Sequence, residues 1–156
     1  MSTINIEKAC AFTGHRILPN NFDVSELKSV IENLIDSGYN TFLCGMALGF
    51  DMLCFSVLLE LKKYNDIRLI ACVPCNEQSK FFTKTQAKEY NNLIGKADEV
   101  VILSEDYYDG CMQKRNRFMV DNSSVLVAYL RTNHGGTYST IKYAVENDRK
   151  IIYVNK

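Results

Sequence analysis

The chain carries no net charge. Lys and Arg number 18 and Asp and Glu also 18 among 156 residues, so no global field draws it to nucleic acid or to an anionic membrane, and any attraction for anions has to be local. Histidine is nearly absent: His15 and His134 each stand alone. Long apolar runs are missing too, and none approaches the ~20 residues needed to cross a bilayer. The start, Met1-Ser-Thr-Ile-Asn-Ile-Glu-Lys, lacks the apolar region of a signal peptide. A cytoplasmic protein with no membrane partner is therefore expected. Repeats, linkers and low-complexity tracts are absent, as are G-x-G-x-x-G and P-loop patterns, which argues against an ordinary NAD site or an ATPase. No cofactor is expected.

Six cysteines are present. Cys10, Cys44, Cys54 and Cys72 lie inside apolar patterns, where a free thiol behaves as a small core hydrophobe. Cys72-Val73-Pro74-Cys75 has the spacing of a redox pair or of half a zinc site. Zinc needs further ligands that two isolated histidines do not supply, so the spacing reads as chance at a strand end and no metal is expected.

A chain of this length makes one domain, residues 1–156, able to bury roughly 70% of its unfolded surface. Apolar runs that do not alternate recur at 8–12, 41–44, 67–73, 99–103, 125–130 and 150–154, and they predict buried strands. Between them lie helical spacings. Asp23 with Glu26 is a capping-box start leading to Leu27, Val30, Ile31, Leu34 and Ile35, with Gly38 as the stop. A helix from the Gly49 loop through Leu61 is apolar on more than one stripe, so it needs covering by neighbouring helices or by another subunit. Further helices are expected around Thr83–Ile94, over the basic segment after Cys111, and from Tyr138, with Ile141, Ala144 and Val145 facing inward and Thr137 as N-cap. Strands of this kind, each followed by a helix, predict an α/β, Rossmann-like three-layer sandwich with a mostly parallel sheet.

In such sheets ligands sit beyond the carboxyl ends of the strands. Three glycine-bearing loops occupy that end: Thr13-Gly14-His15-Arg16, Gly45 to Asp51, and Asn133 to Thr137. The last is the most suggestive. Gly135-Gly136 opens a helix, where unpaired backbone N–H groups carry partial positive charge and a glycine turn lets an anion approach. The preceding helix adds Lys114, Arg115 and Arg117, with Arg115 read as exposed. Asn116 shares a helical stripe with Met112, Met119 and Val120, so its amide points to the core or the crevice and needs partners. Tyr107 and Tyr108, on the loop before that helix, are the type of ring that stacks a base.

These motifs together resemble the SLOG superfamily, which joins DprA/Smf and the LOG phosphoribohydrolases, and most of all its small standalone bacterial and phage members of the YpsA/YoqJ type. The similarity covers nearly the whole chain through T-G-H-R, G-M-A-L-G-F-D, C-M-Q-K-R-N-R-F-M-V-D and G-G-T-Y-S-T. The resemblance implies a fold that binds nucleotides or nucleotide-derived signals, often as a homodimer. It places Gly14 and Arg16 at the ligand's edge, with His15 of the same loop a further candidate, and Gly45, Gly49 and Asp51 along the second loop. Gly135, Gly136 and Thr137 then hold phosphate, and Arg115 matches the arginine of the LOG M-x-x-R-K helix. One departure stands out: Thr140 occupies the position of the LOG catalytic glutamate.

The reading that results is a binder of a nucleoside phosphate or ADP-ribose-like ligand that senses or sequesters it. Two alternatives accompany it: a LOG-like phosphoribohydrolase, with Arg115 and Asp51 as candidate catalytic residues, and a DprA-like handler of single-stranded DNA, against which the absence of net charge argues.

Overall fold

Strands and helices alternate along the whole chain. A single 3-10 turn at Ile6–Lys8 precedes β1 (Ala9–Thr13), and then come α1 (Val24–Asp36), β2 (Thr41–Cys44), α2 (Phe50–Lys62), β3 (Arg68–Val73) and α3 (Lys84–Ile94). The second half adds β4 (Glu99–Ile102), α4 (Cys111–Asp121), β5 (Val125–Ala128), α5 (Gly135–Glu146) and β6 (Lys150–Tyr153). The structure is a computed structural model that describes residues 3–156; Met1 and Ser2, where the reading of the chain's start begins, lie outside the described residues.

All five strand pairings are parallel, and the sheet order is β4-β3-β2-β1-β5-β6. The central strands explain this arrangement. Successive side chains of a strand point to opposite faces, and every residue of β1, β2 and β5 is buried, so both faces must be covered. Cys10, Phe12, Phe42 and Val127 pack under α1, α2 and α3, whereas Ala9, Ala11, Leu43 and Leu126 pack under α4 and α5. Phe12 and Phe42 stack at 6.3 Å, and truncating either to alanine should cost about 3–5 kcal/mol. At the edge, β4 leaves Val100 and Ile102 exposed.

The apolar excess of α2 is accounted for within the chain. It lies on β1 and β2 with α1 and α3 on either side, and Met52, Cys54, Phe55, Val57, Leu58 and Leu61 are buried there.

Strands β1 to β4 step outward in one direction through α1, α2 and α3. Helix α4 then carries the chain back across the opposite face to β5, on the far side of β1. The direction of winding thus reverses between β1 and β5, and their carboxyl ends, Thr13 and Ala128, are register partners.

Several local expectations need correcting. Asp23 caps α1 by accepting from the Glu26 N–H at 3.1 Å, but the box is not reciprocal: Glu26 accepts from Asn155, and the Asp23 N–H donates to the Asn155 side chain at 2.7 Å. The reciprocal box is at α3, between Thr83 and Gln86. Helix α5 begins at Gly135 with His134 as N-cap, so Thr137 lies inside the first turn and is not the cap. Val145 is 57% exposed, because the inward stripe runs Thr137, Thr140, Ile141, Ala144 and the next residue falls on the solvent side of a 3.6-residue period.

Candidate functional site

Close backbone approaches lock the first two loops together. A Cβ on Gly14 would lie 2.4 Å from the Phe50 ring, and one on Gly49, which has φ +82°, would lie 2.2 Å from the Arg16 carbonyl oxygen. The Phe50 N–H donates to the His15 carbonyl at 3.0 Å. Both glycines are therefore demanded by packing. His15 holds the third loop: its Nε2 accepts from the Arg131 N–H at 2.9 Å and its ring meets the edge of Tyr129. Burial, with help from the Arg131 charge, pushes its pKa down, so the ring is neutral with its proton on Nδ1. Arg16 is exposed, with Nη2 against the Met112 sulfur at 3.3 Å.

Behind these loops sits Arg115, and it is not the exposed residue the sequence suggested. It is 4% accessible. Its Nε donates to Asn116 Oδ1 at 2.8 Å, and its Nη1 donates to the carbonyls of Gly45 and, at 3.4 Å, Cys72. Its Nη2 makes no hydrogen bond among the described residues. It is not a fully buried atom either, so this donor stays open to solvent and to any anionic or polar group that faces it. Asp51, 7% accessible, accepts from the Ala47 N–H at 3.3 Å. Burial pushes its carboxyl up to about 6, against the opposing pull of Arg115. A Cβ on Gly45 would fall 2.7 Å from Arg115 Nη1 and 2.9 Å from Asp51 Oδ2, so glycine is needed there to let the two charges converge.

The start of α5 is different. A Cβ on Gly136 would meet nothing within 4 Å and its φ is not in the left-handed region. Nothing in the fold requires glycine at this position. The His134 side chain does not cap the helix, which leaves its first N–H groups facing a crevice of about 470 Å³.

That crevice opens at the β1/β5 switch point. Gly14, His15 and Arg16 border it on one side, Asp51, Arg115 and Asn116 behind, and Gly135, Gly136 and Thr137 in front. Nine of the sequence-derived residues thus come together. Gly45 and Gly49 do not border it; they position Arg115, Asp51 and Arg16. Thr140 also lies off it, with its hydroxyl donating to the Gly136 carbonyl at 2.8 Å. Neither Lys114 nor Arg117 reaches the crevice, nor do the exposed Tyr107 and Tyr108. Met112 and Gln113 border it unforeseen as wall residues; Met112 lies one helical turn before Arg115.

A larger hollow of about 670 Å³ lies at the opposite strand ends, where it is lined by Asn40, Lys62, Arg68 and Asp98. Its cations are already paired: Lys62 with Asp98, and Arg68 with Glu99 at 2.6 Å. All six cysteines are free and buried. Cys72 and Cys75 are thus not joined by a disulfide, and the Cys72 carbonyl accepts from Arg115 at 3.4 Å. No cluster of metal-ligating side chains occurs among the described residues, and no helix there is long and apolar enough to cross a membrane.

An all-parallel six-stranded sheet covered on both faces, with its crevice at the switch point, places the protein in the Rossmann-like α/β class. Within that class, residues 24–155 match the YpsA family model, described as the YspA SLOG family, and the chain belongs to this family. It is 32% identical over 134 residues to the SPbeta prophage-derived protein YoqJ of Bacillus subtilis strain 168, covering 76% of this chain and 78% of that protein. With a UPF0398 protein of Macrococcus caseolyticus it shares 24% over 132 residues, covering 80% and 72%. Among solved structures, DprA of Helicobacter pylori, described for its single-stranded DNA binding mode, superposes with TM-score 0.70 at 17% identity, covering 96% of this chain and 66% of that one. DprA of Streptococcus pneumoniae gives TM-score 0.66 at 20% identity, and this chain spans 50% of its length.

Proposed function

We propose that the crevice binds a nucleotide or nucleotide-derived signalling ligand, a nucleoside phosphate or an ADP-ribose-like molecule, and that the protein senses or sequesters it. One observation carries the reading: Arg115, buried and with no hydrogen bond on its Nη2 among the described residues, and the uncapped start of α5 border the same crevice. A phosphate between them would accept from backbone N–H groups and from a guanidinium at once, both strong anion donors. Gly136 supports this, since its bare Cα keeps the approach open without serving the fold. A thermal-shift screen of nucleoside phosphates, ADP-ribose and cyclic dinucleotides tests the reading. A ligand at one hundred times its Kd adds about 2.7 kcal/mol of stability; no shift with any of them rejects it.

The likeness to a single-stranded DNA binder favours a second reading, in which the same face handles a DNA strand. Such binding should show a basic groove, stacking aromatics and steep salt dependence. Tyr107 and Tyr108 stand away from the crevice and the chain has no net charge, so the small ligand is preferred. Oligonucleotide binding at physiological salt that is lost on Lys114 and Arg117 substitution would reverse that preference.

A further inference from the structure

The crevice does not end at α5. A second cavity of about 260 Å³ lies between α4 and α5, and it shares Gln113, Asn116 and Gly136 with the crevice. The shared residues lie on α4 and in the first turn of α5, where a phosphate would sit. Resting on the nucleotide reading above, we infer that the groove takes a second half of the ligand, which makes that ligand a pyrophosphate-linked dinucleotide or nucleoside diphosphate derivative and not a nucleoside monophosphate.

Three observations support this. Asn116 stands at the junction, and because the Arg115 Nε–H fixes its Oδ1 as acceptor at 2.8 Å, its Nδ2 must turn the other way. That nitrogen makes no hydrogen bond among the described residues, so a donor pair is free where the two cavities meet. Next, the groove holds two cations without a carboxylate partner among the described residues: Lys142, and Arg117 stacked at 4.9 Å over the Tyr143 ring. The Tyr143 hydroxyl is held by Asp121 at 2.7 Å, which fixes the ring and, through it, the guanidinium. Against these, the groove contains one acid, Glu146. Its balance is cationic in a chain with no net charge, as suits a ligand whose negative charge continues past the first phosphate. Finally, Ser139 and Thr140 put small hydroxyl side chains on the α5 wall, which leaves width for a ribose.

Titration calorimetry with AMP and with diadenosine diphosphate is the test. Both carry about two negative charges at neutral pH, so a difference between them reports reach and not charge. The dinucleotide should bind at least tenfold more tightly than AMP. Ser139 borders the groove and not the crevice; Ser139→Trp should bring the dinucleotide's Kd to that of AMP and leave AMP within twofold, and Lys142→Glu should weaken the dinucleotide alone. Equal affinities for the two probes, or loss of both in Ser139→Trp, would overturn the groove assignment and leave the crevice reading standing. Binding of neither probe removes both. Tighter binding of a ten-residue thymidine oligonucleotide than of diadenosine diphosphate, weakened by the same variants, would assign the groove to a strand instead.

Discussion

The Arg115 guanidinium and the Asp51 carboxylate converge on the space beside the Gly45 Cα, where a single Cβ would lie within 3 Å of both. Each is more than nine-tenths buried, so each carries a desolvation cost that the other partly offsets. The first prediction follows from this. Arg115→Ala strands a buried carboxylate and frees two carbonyl acceptors, and it should cost about 3 kcal/mol of stability, the scale for breaking a buried charge pair. Urea unfolding checks it; an unshifted midpoint would mean that Arg115 is exposed in solution.

The glycines should separate into two sets in thermal unfolding. Gly49→Ala forces a left-handed φ on alanine and drives Cβ into the Arg16 carbonyl, and should lose roughly 1–3 kcal/mol. Gly45→Ala should also destabilise, by pushing Arg115 from Asp51. Gly136→Ala meets nothing and should stay within about 0.5 kcal/mol of wild type while weakening ligand binding. Destabilisation by Gly136→Ala would show that the position serves the fold.

Asp51 should leave a signature in the pH dependence of stability. Its folded pKa of about 6 lies above the ordinary unfolded value near 3.9. The folded state therefore favours the protonated form. Stability from this group is fully present below about pH 4 and is lost as the pH rises through 6. Two pKa units correspond to about 3 kcal/mol, so wild type should lose about that much relative to Asp51→Asn between pH 4 and 7. Parallel curves for the two proteins would contradict the assigned burial.

Hydrolysis of N-glycosidic bonds should be weak or absent. The reaction passes through an oxocarbenium-like state that needs a carboxylate to steady charge or activate water. Thr140 supplies none and spends its hydroxyl on Gly136. Release of adenine from AMP checks this for wild type, Asp51→Asn and Thr140→Glu. Rapid turnover by wild type that vanishes in Asp51→Asn would make this a hydrolase with Asp51 as its carboxylate.

The strands were legible because a parallel sheet covered on both faces leaves runs such as Thr41–Cys44 with no polar alternation. The burial of Arg115 was harder to see. Its acceptors, the Gly45 and Cys72 carbonyls, lie 70 and 43 residues away in sequence, and no local pattern announces them. A signal did exist: Arg115 is spaced i+4 from Cys111 and i−4 from Met119, both buried, so it shares their stripe. The glycines illustrate a different limit. Gly14, Gly49 and Gly136 look alike in sequence, and only the neighbours of each Cα separate a packing requirement from an open approach. Thr137 and Val145 were misplaced because α5 starts three residues earlier than Tyr138, at the glycine pair, which rotates the face assigned to each later residue.

The most direct test of the central claim is a ¹⁵N–¹H NMR titration of the protein with AMP. If phosphate is held at the start of α5 opposite Arg115, the backbone amides of Gly135, Gly136 and Thr137 and the Arg115 Nε–H shift together and saturate with a single Kd. If those signals stay in place at millimolar AMP while the amides around Asn40, Arg68 and Asp98 at the opposite strand ends move, the crevice is not the nucleotide site.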